Sequence, residues 1–292
     1  NEGWCHDIDM LTTICISEDN PIYRLLNNEI VIGKSSIDAE KYDELVFCSR
    51  NVKRVVIPNY IKKIRGCAFC SCNHLETIEF DPESQLQTIG DCAFSKTSIQ
   101  KFSLSPHITK IGHSAFRQCI KLQKFDIPPN SQIQSIGDFL FLETSIDNIQ
   151  IPRQVTEIGS YAFSDCQRLR TIEFPPDSKL RIFKYCAFYH SSIENISIPS
   201  TLKIICAFRN CKKLKKIYIP FNSQLTNIDS IPETITSLTI PASIKYIDSI
   251  AFFKCYQLRI IELHEDLKIK NLGDSLHIYS NAMIMIPAKL NL

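Results

Sequence analysis

Apolar residues return at fixed offsets along most of this chain, in a frame of 20 to 25 residues. The copy at 155–175 reads Val-x-x-Ile-Gly-x-x-Ala-Phe-x-x-Cys-x-x-Leu-x-x-Ile-x-Phe-Pro. Its last part alternates inward and outward side chains and ends at a proline, which cannot donate to a ladder, so it predicts a short strand. The Ile-Gly-x-x-Ala-Phe part is too short for a stable helix, and it predicts a tight turn or a single helical turn.

The Ala-Phe dipeptide marks the repeats, and its spacing alternates. Successive intervals are 25, 22, 25, 22, 25 and 20 residues, followed by one of 44 residues that covers two copies. The repeating unit is therefore a pair of rungs of about 47 residues. One rung cannot bury its own apolar face, but stacked rungs share a continuous core. We expect the repeated phenylalanines to stack as an internal spine: Phe69, Phe94, Phe116, Phe141, Phe163, Phe188, Phe208 and Phe252.

The frame sets the expected domain organisation. Residues 48–263 carry the repeats, about nine rungs in all. Residues 1–47 and 264–292 lack the frame, and since terminal repeats are commonly atypical, we expect an N-terminal and a C-terminal cap. The rung at 225–240 is degenerate because it has no Ala-Phe dipeptide.

The residues Ile158-Gly-x-x-Ala-Phe-x-x-Cys-x-x-Leu-x-x-Ile-x-Phe-Pro resemble the BspA-like leucine-rich repeat family, also called the Treponema pallidum type. The resemblance covers about residues 48–263. It implies a right-handed leucine-rich-repeat solenoid, with a parallel β-sheet on the concave side and short turns or single helical turns on the other. It also implies a non-enzymatic role, since many members are surface proteins that bind host proteins.

Composition and motifs exclude several other classes. The chain is 44% hydrophobic and 22% charged, with a formal net charge of +2, so it is neither disordered nor suited to nucleic acid or an anionic membrane surface. No apolar run reaches the roughly 18 residues of a membrane span. Known catalytic and nucleotide-binding motifs are missing, and we expect no enzyme activity, no cofactor and no metal site. Because the chain begins at Asn1 without a signal-peptide pattern, we expect a mature form or a piece of a longer protein.

Thirteen cysteines first suggest disulfides or zinc, and the repeat explains most of them differently. The segment Cys67-Ala-Phe-Cys70-Ser-Cys72, with His74 nearby, has a spacing that suits zinc. However, nine cysteines occupy two frame positions, one before Ala or four after it, and within this segment Cys70 alone falls outside them. We therefore interpret the nine as buried structural residues: Cys67, Cys92, Cys186 and Cys206 before Ala, and Cys72, Cys119, Cys166, Cys211 and Cys255 after it.

Disulfide geometry narrows the remaining pairings. The cysteines that lie four residues after the alanine fall on alternate rungs. They are too far apart for a disulfide, whose Cα atoms must lie within about 7 Å. Cys67 with Cys92 and Cys186 with Cys206 lie on adjacent rungs and remain open alternatives. We expect mostly reduced thiols, with Cys5–Cys15 in the N-terminal cap as the foremost disulfide candidate.

The outward strand positions form two polar columns, and these are the candidate binding surface. A solvated sheet face with ordinary cross-strand pairing is the alternative for any single residue. As a surface, a concave array of varied polar side chains is what solenoids present to partners, and Tyr218 is the best anchor because tyrosine is favoured at hot spots. The protruding loops after alternate strands form a second candidate ridge. The candidate partner-binding residues are Glu79, Lys101, Lys124, Asp126, Gln150, Glu173, Lys216 and Tyr218.

The sequence thus predicts a protein-recognition module. We expect an adhesin-like protein, at the cell surface or secreted, that binds an extracellular-matrix or host-cell surface protein. An intracellular scaffold, or an architectural protein of a larger assembly, is the alternative, and a ladder of reduced thiols fits a cytoplasmic location. The sequon Asn195-Ile-Ser197 would place a glycan on the strand face, so we expect low occupancy.

Overall fold

The computed structural model describes residues 10–205, 207–228, 231–269 and 281–289. The chain divides into two compact units, Asn1–Ile146 and Asp147–Leu292. Each unit is built from short parallel strands stacked rung on rung, a parallel β-solenoid, and no helix occurs in the described ranges. The predicted leucine-rich-repeat fold class is confirmed.

The first unit begins with an antiparallel segment. Its strands are β1 (Tyr23–Leu26), β2 (Ile30–Gly33) and β3 (Glu44–Cys48), and β2 pairs antiparallel with both neighbours. Asn27 and Asn28 take φ angles of 52° and 57° between β1 and β2, which asparagine tolerates in a two-residue hairpin. This antiparallel start lies within the predicted N-terminal cap and distinguishes it from the parallel rungs.

The rungs of the first unit each supply two strands. The first is three or four residues long: β4 (Arg54–Ile57), β6 (Thr77–Phe80), β8 (Lys101–Ser103) and β10 (Lys124–Asp126). The second has only two residues: β5 (Lys63–Ile64), β7 (Thr88–Ile89), β9 (Lys110–Ile111) and β11 (Ser135–Ile136). The longer strands match the sequence prediction, whereas the two-residue strands were not predicted.

The second unit repeats this plan. Its strands are β12 (Asn148–Gln150), β13 (Glu157–Ile158), β14 (Thr171–Glu173), β15 (Ile182–Phe183), β16 (Asn195–Ser197), β17 (Ile204–Ile205), β18 (Lys216–Tyr218), β19 (Asn227–Ile228), β20 (Ser237–Ile240), β21 (Tyr246–Ile247), β22 (Ile260–Leu263) and β23 (Met283–Met285). A five-stranded parallel sheet runs β16, β18, β20, β22, β23. The last of these strands falls in segment 264–292, for which the sequence predicts a cap.

The Ala-Phe turns are tight turns, one of the two predicted forms. In the rung of Ala162, Tyr161 directly precedes the alanine and has φ 54°. Asp165, three residues after the alanine, has φ 56°. Left-handed residues on both sides of Ala-Phe prevent the backbone from continuing as a right-handed helix. The same two positions are left-handed in other rungs, including Cys67 and Ser71, Cys92 and Lys96, Ser114 and Gln118, and Cys186 and His190.

The phenylalanine spine is confirmed within each unit. In the first unit the rings of Phe69 and Phe94 stack at 4.9 Å, those of Phe94 and Phe116 at 5.2 Å, and those of Phe116 and Phe141 at 6.0 Å. In the second unit Phe163, Phe188 and Phe208 stack in the same way, at 5.4 and 5.3 Å. The ring spacing follows the distance between neighbouring strands, about 4.8 Å, so the rungs set the stack.

The cysteines four after Ala form a buried ladder of hydrogen bonds. The Cys119 thiol donates to the Phe94 carbonyl of the preceding rung at 3.0 Å, and the Cys211 thiol donates to the Phe188 carbonyl at 2.9 Å. Cys119 also lies 3.2 Å from the hydroxyl of Thr97, which occupies the corresponding site one rung earlier. These thiols satisfy turn carbonyls inside the core, as the repeat predicts.

Candidate partner-binding face

The surface considered for binding is the outward row of side chains on the longer strands, here called the strand face. Along each of these strands the middle side chain is directed inward and its neighbours outward, as in Lys124–Asp126, where Phe125 is buried. Neighbouring strands are in register, so equivalent outward residues stand side by side. All eight predicted binding residues are outward-facing residues of these strands.

In the first unit the predicted acidic residues are already paired. Arg54 donates to the Glu79 carboxylate at 2.7 Å, and this hydrogen bond, together with the charge of Glu79, raises the pKa of the Arg54 guanidinium. Asp126 accepts a hydrogen bond from Ser103 at 3.2 Å and lies 3.3 Å from the Lys124 ammonium. Lys101 stands in register beside Lys124 and is exposed. Exposed pairs of this kind contribute little to stability, because water screens the charges.

In the second unit the predicted residues fall into two groups. Gln150 donates to Glu173 at 2.9 Å, which repeats the cross-strand pairing of the first unit. Lys216 and Tyr218 lie on β18, in register with Asn195 and Ser197 of β16, and the Tyr218 side chain is 53% exposed. Tyr218 thus presents a large amphipathic side chain among small polar neighbours.

An apolar stretch lies on the same sheet as Tyr218, with strand β20 between them, and the sequence prediction missed most of it. Ile260 of β22 pairs with Met283 of β23, and Glu262 of β22 pairs with Met285. Ile260, Met283 and Met285 are 37%, 66% and 50% exposed. The two methionines were missed because 264–292 lacks the repeat frame; the alternation in Met283-Ile284-Met285 was the available signal.

The loops proposed as a second candidate surface share a repeated serine. The role of this serine is to stabilise the local structure of the loop. The hydroxyls of the loop serines accept the N–H two residues further along, as in Ser178 to Leu180 at 3.3 Å and Ser223 to Leu225 at 3.1 Å. These hydroxyls close turns, and the residues are buried. The buried set comprises Ser84, Ser131, Ser178 and Ser223.

Most of the described cysteines lie in the Ala-Phe turns, whereas Cys48 is the last residue of strand β3. All eleven that the structure describes are reduced, and Cys67 and Cys92, an adjacent-rung pair, are thiols in hydrogen-bond contact rather than a disulfide. Cys5 and Cys206 lie outside the described residues, so the Cys5–Cys15 and Cys186–Cys206 pairings remain predictions.

Within the described ranges, no group of three His, Cys, Asp or Glu side chains is arranged to hold a metal ion. In the same ranges, no helix is long and apolar enough to cross a bilayer.

These features define a leucine-rich-repeat solenoid. A family model described as the BspA type leucine rich repeat region matches residues 40–153, 134–232 and 230–287, in six copies. The chain therefore belongs to the BspA-type leucine-rich repeat family, which confirms the resemblance seen in the sequence. No curated protein sequence matches the chain.

The chain is similar to several solved leucine-rich-repeat structures, of which the first described here supports the fold. The crystal structure of the pneumococcal vaccine antigen PcpA is 17% identical and aligns over 92% of this chain and 83% of that chain, with a TM-score of 0.52. A leucine-rich repeat protein from Bacteroides ovatus is 17% identical over 91% of this chain and 100% of its own, with a TM-score of 0.47. The leucine-rich repeat protein of T. pallidum is 19% identical over 84% and 94%, with a TM-score of 0.40. Solenoids of this class typically serve as non-enzymatic scaffolds for recognition, generally of proteins.

Proposed function

We propose that this chain is a non-enzymatic recognition module that binds a protein partner through its strand face. The observation that supports this proposal is the stretch of β18 to β23 where Lys216, Tyr218, Ile260, Met283 and Met285 are exposed together in one sheet. Tyrosine and methionine are enriched at interface centres. In the same unit the Glu173 carboxylate, paired with Gln150, belongs to the polar part of the strand face, as the paired Glu79 and Asp126 do in the first unit.

A pair of tyrosine variants tests the proposed face. The whole chain is used as bait to recover partners from the source cell and its surroundings, and the recovered partner is then titrated against variants. Tyr218→Ala is expected to weaken binding about 30-fold or more, the loss of a hot spot of about 2 kcal/mol. Tyr246 is the matched control, because it is 52% exposed in the same unit but belongs to the two-residue strand β21.

The comparison of Tyr218→Ala with Tyr246→Ala tests whether the binding surface is correctly placed. If Tyr218→Ala binds as well as the wild type while Tyr246→Ala does not, the binding surface is wrongly placed. Charge reversal at Glu79, Asp126 and Glu173 examines the polar part of the strand face. We expect a smaller loss, mainly in the association rate and dependent on salt, because rim charges act chiefly on encounter.

We further propose that the protein acts at the cell surface or in the extracellular space, as an adhesin-like protein binding a host or neighbouring-cell protein. This proposal is supported by the similarity in fold to PcpA, a pneumococcal vaccine antigen. The alternative is an intracellular scaffold or architectural protein. It is favoured by the buried thiol ladder of Cys72, Cys119, Cys166, Cys211 and Cys255, since the cytosol keeps thiols reduced.

Surface labelling of intact source cells separates the two locations. A membrane-impermeant amine reagent should modify exposed lysines such as Lys101 and Lys216 if the protein is displayed outside. Labelling that appears only after the cells are lysed would contradict the surface proposal and support the intracellular alternative. Examination of Asn195 for a glycan adds a second readout, and we expect low occupancy because Asn195 lies within strand β16.

A further inference from the structure

Three cysteine thiols meet at the first two Ala-Phe turns, next to the N-terminal antiparallel segment. The Cys67 thiol is in hydrogen-bond contact with both Cys70, three residues along the same turn, and Cys92, on the next rung. Cys67 is buried with Val31, Val46 and Phe47, and Cys70 and Cys92 pack against this cluster while remaining partly exposed. Cys70 is the cysteine of this segment that the repeat frame does not explain.

The turn brings Cys67 and Cys70 within reach of a disulfide. The Cys70 N–H donates to the Cys67 carbonyl at 3.0 Å, which closes a four-residue turn. In such turns the first and last Cα atoms lie within about 7 Å, and disulfides span Cα separations of about 4.4 to 6.8 Å. The Cys67-Ala-Phe-Cys70 sequence therefore has both the spacing and the local geometry of a redox-active pair of cysteines.

The surroundings divide the two thiols into a nucleophile and a proton donor. The hydrogen bond from Cys67 lowers the pKa of Cys70 to about 6, against the opposing effect of burial, with further help from Ser71, Arg50 and Lys96. Cys67 has its own pKa raised, by its hydrogen bonds to Cys70 and Cys92 and by burial. Cys70 is thus a thiolate near neutral pH, and Cys67 holds its proton.

We propose that Cys67 and Cys70 form a dithiol site that undergoes thiol–disulfide exchange with low-molecular-weight disulfides such as oxidised glutathione. The Cys70 thiolate attacks one sulfur of the small disulfide, forming a mixed disulfide and releasing one thiolate. Cys67 then gives up its proton and attacks the Cys70 sulfur, closing the Cys67–Cys70 bond and releasing the second thiol. The two cysteines lose two electrons to the small disulfide; the Cys67 proton goes to the second thiol released, and the first thiolate released takes a proton from solvent.

Among the other described cysteines, Cys48 and Cys72 are also hydrogen-bonded to each other, which raises the pKa of Cys48 and lowers that of Cys72, but both are fully buried. Cys119, Cys166 and Cys211 are buried within the core, and burial raises the pKa of Cys119 to about 12 and that of Cys211 to about 11. Cys186 occupies the position of Cys67 in a later rung, but the residue three further along is Tyr189. Cys186 is therefore a natural comparison site, with the same backbone position and no adjacent partner on its turn.

Peptide mapping of the whole chain tests the proposal. The native protein is treated with oxidised glutathione, remaining thiols are alkylated at low pH, and the chain is cut with chymotrypsin. This protease cleaves between Phe69 and Cys70, so a Cys67–Cys70 bond holds two peptides together. The expected result is this linked pair and a mass loss of about 2 Da, the two hydrogens that leave with the electrons. The link should persist in Cys92→Ser and be absent from Cys70→Ser, while Cys186→Ser behaves as wild type.

A rate measurement adds an independent readout. Alkylation of Cys70 by iodoacetamide should reach half its maximal rate near pH 6, whereas Cys119, whose pKa burial raises to about 12, should react only at strongly alkaline pH. The proposal is overturned by a Cys67–Cys92 link in the oxidised wild type, or by a glutathione adduct that stays on Cys70 without closing. It is equally overturned if the bond forms only after the chain is unfolded. These wild-type outcomes decide the matter even if a serine variant fails to fold.

Discussion

At the residue scale, the left-handed backbone positions show how strictly each turn is specified. Lys96 has φ 59°, and its side chain is exposed. Left-handed geometry costs a residue with a Cβ roughly 1 to 2 kcal/mol, a penalty that glycine avoids. Yet none of the described glycines has a positive φ. The sequence signal usually associated with such positions is therefore missing, which is why the turn geometry was not predicted.

We expect Lys96→Gly to stabilise the protein. The relief of backbone strain exceeds the entropy that glycine adds to the unfolded chain, so the free energy of unfolding should rise by about 0.5 to 1 kcal/mol. Lys121→Gly serves as the control, since Lys121 is also an exposed turn residue but has no positive φ. That variant should lose about 0.5 to 1 kcal/mol. Urea denaturation measures both, and a loss at Lys96 would contradict the strain argument.

The buried thiol of Cys119 should make stability depend on alkaline pH. Burial raises its pKa to about 12, against hydrogen bonds from Thr97 that lower it. The unfolded thiol titrates near pH 8.5. Because the folded state then binds the proton more tightly, the stabilisation is complete below pH 8.5 and is lost as pH rises from about 8.5 to 12.

Cys119→Ser isolates this effect, because serine retains a hydrogen-bond donor but does not titrate. Between pH 8 and 10.5 the free energy of unfolding should fall more steeply in the wild type, by up to about 1.4 kcal/mol per pH unit. Lysine and tyrosine titrations are common to both proteins and cancel in the difference. Urea denaturation at several pH values measures the free energy of unfolding of both proteins. If it falls equally steeply with pH in the wild type and in Cys119→Ser, the pKa of the Cys119 thiol is not raised by burial.

At the element scale, the sequence predicted the longer strands and the turns but not the two-residue strands. The longer strands carry the alternation of Ile-x-Phe or Ile-x-Ile, whereas strands such as β9 offer only one inward isoleucine after a polar residue. Two residues are too few for a period of two to be recognised. These strands exist because the neighbouring rungs hold them in register, a tertiary effect absent from any single repeat.

Close stacking of neighbouring turns requires the glycine of the Ile-Gly step at Gly90, but not at Gly137. A Cβ on Gly90 would lie 2.4 Å from the Gly66 nitrogen, whereas a Cβ on Gly137 would meet nothing nearer than 3.7 Å. Gly90→Ala must push two backbones apart, so we expect a loss of about 1 to 3 kcal/mol. Gly137→Ala should stay within about 0.5 kcal/mol of the wild type. Thermal or urea unfolding compares them, and equal effects would contradict the close contact.

At the scale of the whole molecule, repetition made the fold predictable and left the ligand unpredicted. Many copies of one frame reinforce each other, so the solenoid, the phenylalanine spine and the family were all recoverable. The binding residues were predicted only by position. The sequence could not show that Glu79 forms an ion pair with Arg54 and that Glu173 accepts a hydrogen bond from Gln150, because those pairs depend on the register between rungs. Met283 and Met285 were missed because they follow the last recognisable repeat.

A repeat array transmits the loss of a core ring to its neighbours. Phe116 stacks between Phe94 and Phe141 and is fully buried. Phe116→Ala should lower the free energy of unfolding by about 3 to 5 kcal/mol through lost burial and the cavity it leaves. Phe221→Ala is the control, because Phe221 is 70% exposed, and it should change stability by less than about 0.5 kcal/mol. Denaturant unfolding with far-ultraviolet detection gives both values; comparable losses would argue against the spine.

The alternation of rungs of 22 and 25 residues has an evolutionary consequence. A gain or loss of one rung would set two rungs of the same type against each other, whereas a gain or loss of a pair preserves the order of every contact. The pair of about 47 residues is thus the natural unit of tandem duplication in this gene. By copying it, the lineage can lengthen its recognition surface two strands at a time and vary the new outward side chains without altering the interior.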